Sequence, residues 1–126
     1  MRTVYLIRHG RTAANERRLY CGSSDLPLSP DGAAAVRDLR SAGGYPAPEG
    51  LTFFTSGMRR TEETLAYLYG NVPHRTIPEL REMDFGRFEL HSYAELKDTP
   101  DYQAWLAGNN DENRCPGGES GRLMTD

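Results

Sequence analysis

The feature that most constrains this chain is the run Val4-Tyr5-Leu6-Ile7, which passes directly into Arg8-His9-Gly10. A short apolar run rich in β-branched and aromatic residues predicts a strand covered on both faces. Gly10 then lets the backbone turn with no Cβ in the way. In an open α/β sheet ligands bind beyond the carboxyl ends of the strands, which places Arg8 and His9 at the floor of a crevice. A guanidinium beside a neutral imidazole suits an anionic electrophile: the arginine attracts a phosphoryl group and the imidazole can attack its phosphorus. An isolated Arg-His pair is more simply a core histidine next to a surface arginine. Here the pair closes an apolar strand, and Thr12 and Asn15 add polar groups one turn on, so the chemical reading is preferred.

At 126 residues the chain is a single domain, long enough for one core and short for a doubly wound α/β enzyme. A formal charge of −3 with mixed signs argues against nucleic acid as a partner. No apolar run approaches membrane-spanning length and no basic N-terminus leads into an apolar core, so no membrane partner is expected and the chain reads as cytoplasmic. Cys21 and Cys115 form no Cys-x-x-Cys pair, and His9, His74 and His91 show no ligand spacing. Neither a disulfide framework nor a metal or other cofactor is expected.

Further along, Arg11 to Arg18 reads as helical and Tyr20 to Asp25 as a loop rich in turn formers. Ser29-Pro30-Asp31 predicts a helix start, with an N-cap serine, a proline at the first position and an early acid. Gly43-Gly44 predicts its end. Leu51 to Thr55 reads as a second strand, followed by a helix from Ser56 to the stop at Gly70-Asn71, and His74 to Ile77 as a weaker strand. Strand followed by helix, twice, predicts crossover units and a largely parallel sheet. Leu80 to Glu89 is too polar for a core strand. Ser92-x-x-Glu95 fits a capping box, and Thr99-Pro100-Asp101 opens a helix whose Tyr102 and Trp105 are expected to pack rather than stack on a ligand. Pro116 to Ser120 leads into a last helix.

Two further elements carry chemistry. In Thr55-Ser56-Gly57-Met58-Arg59-Arg60-Thr61 a strand end meets a helix N-terminus, where unpaired amides and an arginine attract phosphate oxygens. Two adjacent arginines cannot both face one crevice, and the spacing alone does not choose between them. Among Glu82, Asp84 and Glu89, any one could act as a proton donor if burial or nearby negative charge raised its pKa.

The string Leu6-Ile-Arg-His-Gly-x-Thr-x-x-Asn15 resembles the signature of the histidine phosphatase, or phosphoglycerate mutase-like, family. That resemblance implies a three-layer αβα domain with a mostly parallel sheet, here C-terminally truncated relative to the family domain, over residues 1–126. It implies His9 as nucleophile and selects Arg60 as phosphate ligand, because the family places its arginine four residues after the serine. Glu82 is selected as the acid that protonates the leaving oxygen, while Arg8 and Asn15 hold the phosphoryl oxygens. Cys21-Gly22-Ser23 matches the loop across the family pocket, with Ser23 and the backbone as phosphate contacts and Cys21 as lining. The implied ligand is a small phosphorylated metabolite, handled without a metal, and a homodimer is allowed. The segments from Asp25 to Gly32, Glu82 to Gly86, Tyr102 to Leu106 and Pro116 to Ser120 look most like α-ribazole phosphatases, which suggests α-ribazole phosphate. One departure is Leu90, where many relatives carry glycine after the acid; its bulk is expected to reshape the leaving-group side of the pocket.

The family also uses a second histidine in a His-Gly at the end of a later apolar strand, and no such strand is present in this sequence. His74 and His91 lie in other contexts and are not assigned to that role. Loss of one such donor typically costs on the order of a hundredfold or more in rate. The expectation is a phosphomonoester hydrolase acting through a phosphohistidine, seen as part of a longer enzyme. Phosphoglycerate mutase-type transfer and a catalytically impaired phospholigand-binding module are the alternatives.

Overall fold

The computed structural model describes residues 1–125. Helix α1 (Ala13–Glu16) follows the Arg-His-Gly segment and is closed by a capping box: the Thr12 hydroxyl accepts the Asn15 amide while the Asn15 side chain accepts the Thr12 amide. Helix α2 (Pro30–Ala42) starts as its sequence predicts, with the Ser29 hydroxyl accepting from the Gly32 amide, and ends at Gly43 with φ 78°. Strand β1 (Phe53–Thr55) leads to helix α3 (Arg59–Tyr69), which stops at Gly70 with φ 76°. Strand β2 (His74–Thr76) then pairs with β1 in parallel, Phe53 opposite His74 and Thr55 opposite Thr76, so that α3 is the crossover of a β-α-β unit. Short 3-10 turns at Pro78–Leu80 and Gly86–Phe88 shape the polar stretch that follows. Helices α4 (Tyr93–Leu96), α5 (Pro100–Ala107) and α6 (Gly121–Thr125) complete the order. The result is a small α/β domain built on a parallel sheet.

Two apolar clusters hold it. Leu28, Ala33 and Val36 of the α2 region meet Leu68 of α3, flanked by Tyr45, Tyr67 and Tyr69. Phe88, Leu96, Tyr102, Trp105 and Cys115 form the second, with Tyr20, Met83 and Phe85 packed against it. Tyr102 and Trp105 are therefore packing residues, and the Tyr102 hydroxyl bonds that of Tyr20 at 2.6 Å. Leu39 and Leu106 stand on outward faces instead.

The structure corrects two expectations. Val4 to Ile7 does not join the sheet among the described residues, whose only ladder is the two-stranded one. Its side chains keep the period of extended chain, with Val4 and Leu6 at 79% and 93% exposure and Tyr5 and Ile7 at 54% and 42%. Strand character is conferred by a hydrogen-bonded neighbour, and no described segment lies in register beside this one; it borders instead a groove shared with Phe53, Phe54, Leu65 and Leu68. Helix α3, secondly, begins at Arg59 and not at Ser56, because Gly57 takes φ 84°, a left-handed turn that the helix cannot include.

Candidate active site

His9 follows the extended segment and is half-buried beneath α2 and α3. Its Nδ1 lies 2.6 Å from the Gly10 carbonyl. A carbonyl only accepts, so Nδ1 carries the hydrogen and the neutral ring keeps its lone pair on Nε2. Burial, together with the charges of Arg60 and Arg8, holds this imidazole below its ordinary pKa, against opposing contributions from the Gly10 hydrogen bond and Glu82. A neutral ring with a free Nε2 is the form that attacks an electrophile.

The turn at Gly10 is set by packing. A Cβ there would lie 2.7 Å from Val36 Cγ2 and 3.2 Å from both Leu28 methyls, so α2 approaches the backbone too closely for a side chain. Gly10 has no left-handed φ, so close approach is the reason for glycine at this position. Its amide donates to Thr64 Oγ1 at 2.9 Å, which ties the segment to α3. The Arg11 carbonyl accepts the Ser29 amide at 2.9 Å, tying it to the start of α2.

Around His9 a cavity of about 580 Å³ is lined by Arg8, Gly10, Arg11, Asn15 and the facing side of α2. Arg8 is exposed and its guanidinium is free to meet an anion there. Asn15 spends its side-chain oxygen on the Thr12 amide (2.9 Å) and hydroxyl (3.1 Å), leaving its two N–H donors without an acceptor among the described residues. Of the sequence candidates, the cavity thus gathers Arg8, His9 and Asn15.

Arg59 is at the surface, paired with Glu63, whereas Arg60 is 3% exposed. The Arg60 guanidinium donates through Nη2 to the Gly22 carbonyl at 2.8 Å and through Nη1 to the Ser24 carbonyl at 3.0 Å, with Cys21 Sγ at 3.7 Å. These three contacts leave two of the five guanidinium hydrogens without an acceptor among the described residues. The Arg59 amide at the start of α3, by contrast, is not open to phosphate, because it donates to Asp25 Oδ1 at 2.7 Å.

The expectation of direct phosphate contacts from Gly22 and Ser23 is corrected. Both backbone amides donate to the Glu89 carboxylate, at 2.9 and 2.8 Å, and the Ser23 hydroxyl donates to Asp84 Oδ1 at 2.8 Å. Acceptors already hold those hydrogens. Cys21 donates to the Ser24 carbonyl, and burial pushes its thiol up, which keeps it protonated and unreactive near neutral pH. Glu82 is exposed, with Oε1 accepting its neighbour's amide, Met83, at 2.9 Å.

Three contributors escaped the sequence reading. Thr64, four residues after Arg60 and so on the same helical face, was open to detection by that spacing. Glu89 was visible only as one acid among three. Glu119 accepts from Arg81 Nη2 through Oε1 and from the Asp84 amide through Oε2, both at 2.8 Å, and so clamps the segment carrying Glu82; the Pro116 to Ser120 segment was singled out in the sequence without a role for this carboxylate. His74 is bound at the surface to Glu62 and the Val72 carbonyl, and His91 to Glu95.

A curated adenosylcobalamin/alpha-ribazole phosphatase of Escherichia coli (strain K12) is 32% identical over 109 residues, covering 81% of this chain and 51% of the relative. A probable phosphoglycerate mutase GpmB of Enterobacter sp. (strain 638) is 32% identical over 124 residues, covering 95% of this chain and 56% of the relative. The chain therefore spans about half the length of the curated relatives it matches. Among solved structures, a putative alpha-ribazole-5'-P phosphatase from Escherichia coli K-12 MG1655 superposes with a TM-score of 0.78 at 28% identity, over 94% of this chain and 59% of that one. A phosphoglycerate mutase from Thermus thermophilus superposes with a TM-score of 0.71 at 33% identity, over 93% and 63%. Residues 4–126 match the sequence profile of the histidine phosphatase superfamily (branch 1), and the chain belongs to that superfamily.

Proposed function

We propose that this chain is the phosphoryl-accepting part of a phosphomonoester hydrolase that works through a phosphohistidine on a small phosphorylated metabolite. The observation that carries the reading is His9: an Nδ1–H donated to the Gly10 carbonyl, a lone pair on Nε2, and a ring that feels the charges of Arg60 and Arg8. Nε2 attacks phosphorus in line as the P–O bond to the alcohol breaks, and Glu82 gives its proton to the departing oxygen. Water then attacks the phosphohistidine, Glu82 takes a proton from it, and inorganic phosphate leaves with the histidine restored. Arg8, Arg60 and Asn15 supply donors to the phosphoryl oxygens. The names of the relatives favour α-ribazole phosphate as substrate, and the enzyme is proposed to work in the cytoplasm. No helix among the described residues is long and apolar enough to cross a membrane.

Phosphoryl return to another hydroxyl of the same substrate is the second reading, favoured by the mutase-named relatives of equal identity. The test is phosphorus labelling of the protein and its His9→Ala variant with an aryl phosphate, followed by acid treatment. Acid-labile label on the parent alone is expected, and equal label on both would overturn His9 as acceptor. Release of free phosphate against formation of an isomeric phosphoester then separates hydrolase from mutase.

A further inference from the structure

Behind Arg60 lies a carboxylate that the proposed chemistry does not use. Glu89 is partly buried, and its two oxygens accept from four groups. Oε1 takes the amides of Gly22 (2.9 Å), Ser23 (2.8 Å) and Phe85 (3.1 Å) and lies 3.3 Å from the Ser23 hydroxyl. Oε2 takes the Ser24 hydroxyl at 2.8 Å and lies 3.1 Å from the Gly22 amide. Every partner is a donor, so only an ionised carboxylate satisfies them all. Burial of the charge is outweighed by hydrogen bonds from the Gly22, Ser23 and Phe85 amides and the Ser24 hydroxyl, which hold this carboxyl below the usual carboxylate range.

The loop from Cys21 to Ser24 is thereby sandwiched between opposite charges. Its N–H groups point at Glu89, while its carbonyls at Gly22 and Ser24 point at the Arg60 guanidinium. Peptide dipoles so aligned transmit each charge's pull to the other side, and each bond in such a chain strengthens the next. The loop also lies directly on the segment that carries Glu82: a Cβ on Gly22 would fall 1.8 Å from the Met83 carbonyl oxygen and 2.9 Å from Glu89 Oε1. Glu89 reaches both, through Gly22 and Ser23 on one side and Phe85 on the other.

We infer that Glu89 is a positioning residue: without touching substrate, it holds the Cys21–Ser24 loop so that Arg60 faces the phosphoryl group and the loop stays in register with the Glu82 segment. This rests on the phosphohydrolase reading for its purpose and on the four donors to Glu89 for its geometry. An amide in place of the carboxylate presents hydrogens to groups that are themselves donors, so the loop loosens and the guanidinium loses the carbonyls that orient it.

The test uses Glu89→Gln in the full chain, with Tyr102→Phe as a variant of similar stability loss in the second apolar cluster. Amide hydrogen exchange and the affinity for inorganic phosphate are measured on folded protein. Glu89→Gln is expected to speed exchange at Gly22, Ser23 and Phe85 at least tenfold and to weaken phosphate binding about tenfold, whereas Tyr102→Phe leaves both within about twofold. Exchange unchanged at those amides overturns the inference, and faster exchange with unchanged phosphate affinity reduces Glu89 to a structural residue and overturns it too. Should Glu89→Gln fail to fold, Ser24→Ala removes a single bond to Oε2 and is expected to weaken phosphate binding two- to threefold; no change overturns the inference. Parent protein that binds no phosphate overturns the hydrolase reading and, with it, the catalytic purpose of Glu89, while exchange at Gly22 and Ser23 still decides whether the carboxylate holds the loop.

Discussion

The Gly10 amide donates to the Thr64 hydroxyl at 2.9 Å, and that hydroxyl donates onward to the Arg60 carbonyl at 2.6 Å. The backbone beside the nucleophile is thus fastened to the turn of α3 that carries the buried arginine. Thr64→Val keeps the shape and removes the hydroxyl, leaving the Gly10 N–H with no acceptor. A loss of about 1–3 kcal/mol is expected, read as a lower urea midpoint with an unchanged slope. A midpoint within error of the parent would show that the bond carries no weight.

Gly10 itself is the second test. A methyl there meets Val36 Cγ2 at 2.7 Å, so Gly10→Ala is expected to destabilise by about 1–3 kcal/mol through overpacking against α2. The cost should shrink in a Val36→Ala background, where the clashing methyl is gone. Equal costs in the two backgrounds would place the strain elsewhere.

Leu90 has φ 60°, a left-handed conformation in a residue with a Cβ, and its amide donates to the Tyr20 carbonyl at 2.7 Å. Such a conformation costs an L-residue roughly 1–2 kcal/mol. Leu90→Gly is therefore expected to raise stability by up to about 1 kcal/mol, the relief of strain being partly offset by the entropy of an added glycine. Thermal unfolding measures it, and a lower melting temperature would contradict the argument. Backbone conformation thus favours glycine at this position for a reason that does not depend on the pocket.

His9 and His74 should titrate in opposite directions from the ordinary imidazole value of 6.5. Burial depresses His9, whereas hydrogen bonds to the Val72 carbonyl and to Glu62 raise His74. An unfolded chain protonates His9 near 6.5 and the folded protein only at lower pH, so acidification through that window favours unfolding: the stability is complete above 6.5 and declines as pH falls toward the folded value. For His74 the folded form binds its proton more tightly, so its contribution is complete below 6.5 and is lost as pH rises through the folded value. Ring resonances followed by NMR across this range give the order, and a His9 midpoint above that of His74 would refute the geometry. The acid limb of any His9-dependent labelling should also lie below 6.5.

Local signals in the sequence determined a good deal. Ser29-Pro30 and Gly43 bracket α2, Gly70 ends α3, and the turn-rich stretches stay irregular, because caps, proline and glycine act through their own backbones. The address of His9 after an apolar run was legible in the sequence, whereas the choice of Arg60 over Arg59 came from the family resemblance. Tertiary structure alone decided the rest. Val4 to Ile7 carries strand-forming residues, yet a ladder requires a neighbour in register, which composition cannot supply. Gly10 and Gly22 are glycines because other segments press on them, and no local rule names those segments. The hydrogens of Gly22 and Ser23 go to Glu89, 67 and 66 positions away, and the amide beginning α3 goes to Asp25, 34 positions away. Which acceptor a polar group finds depends on what the fold carries within about 3 Å of it, and pairings across such separations leave no periodic trace in the chain.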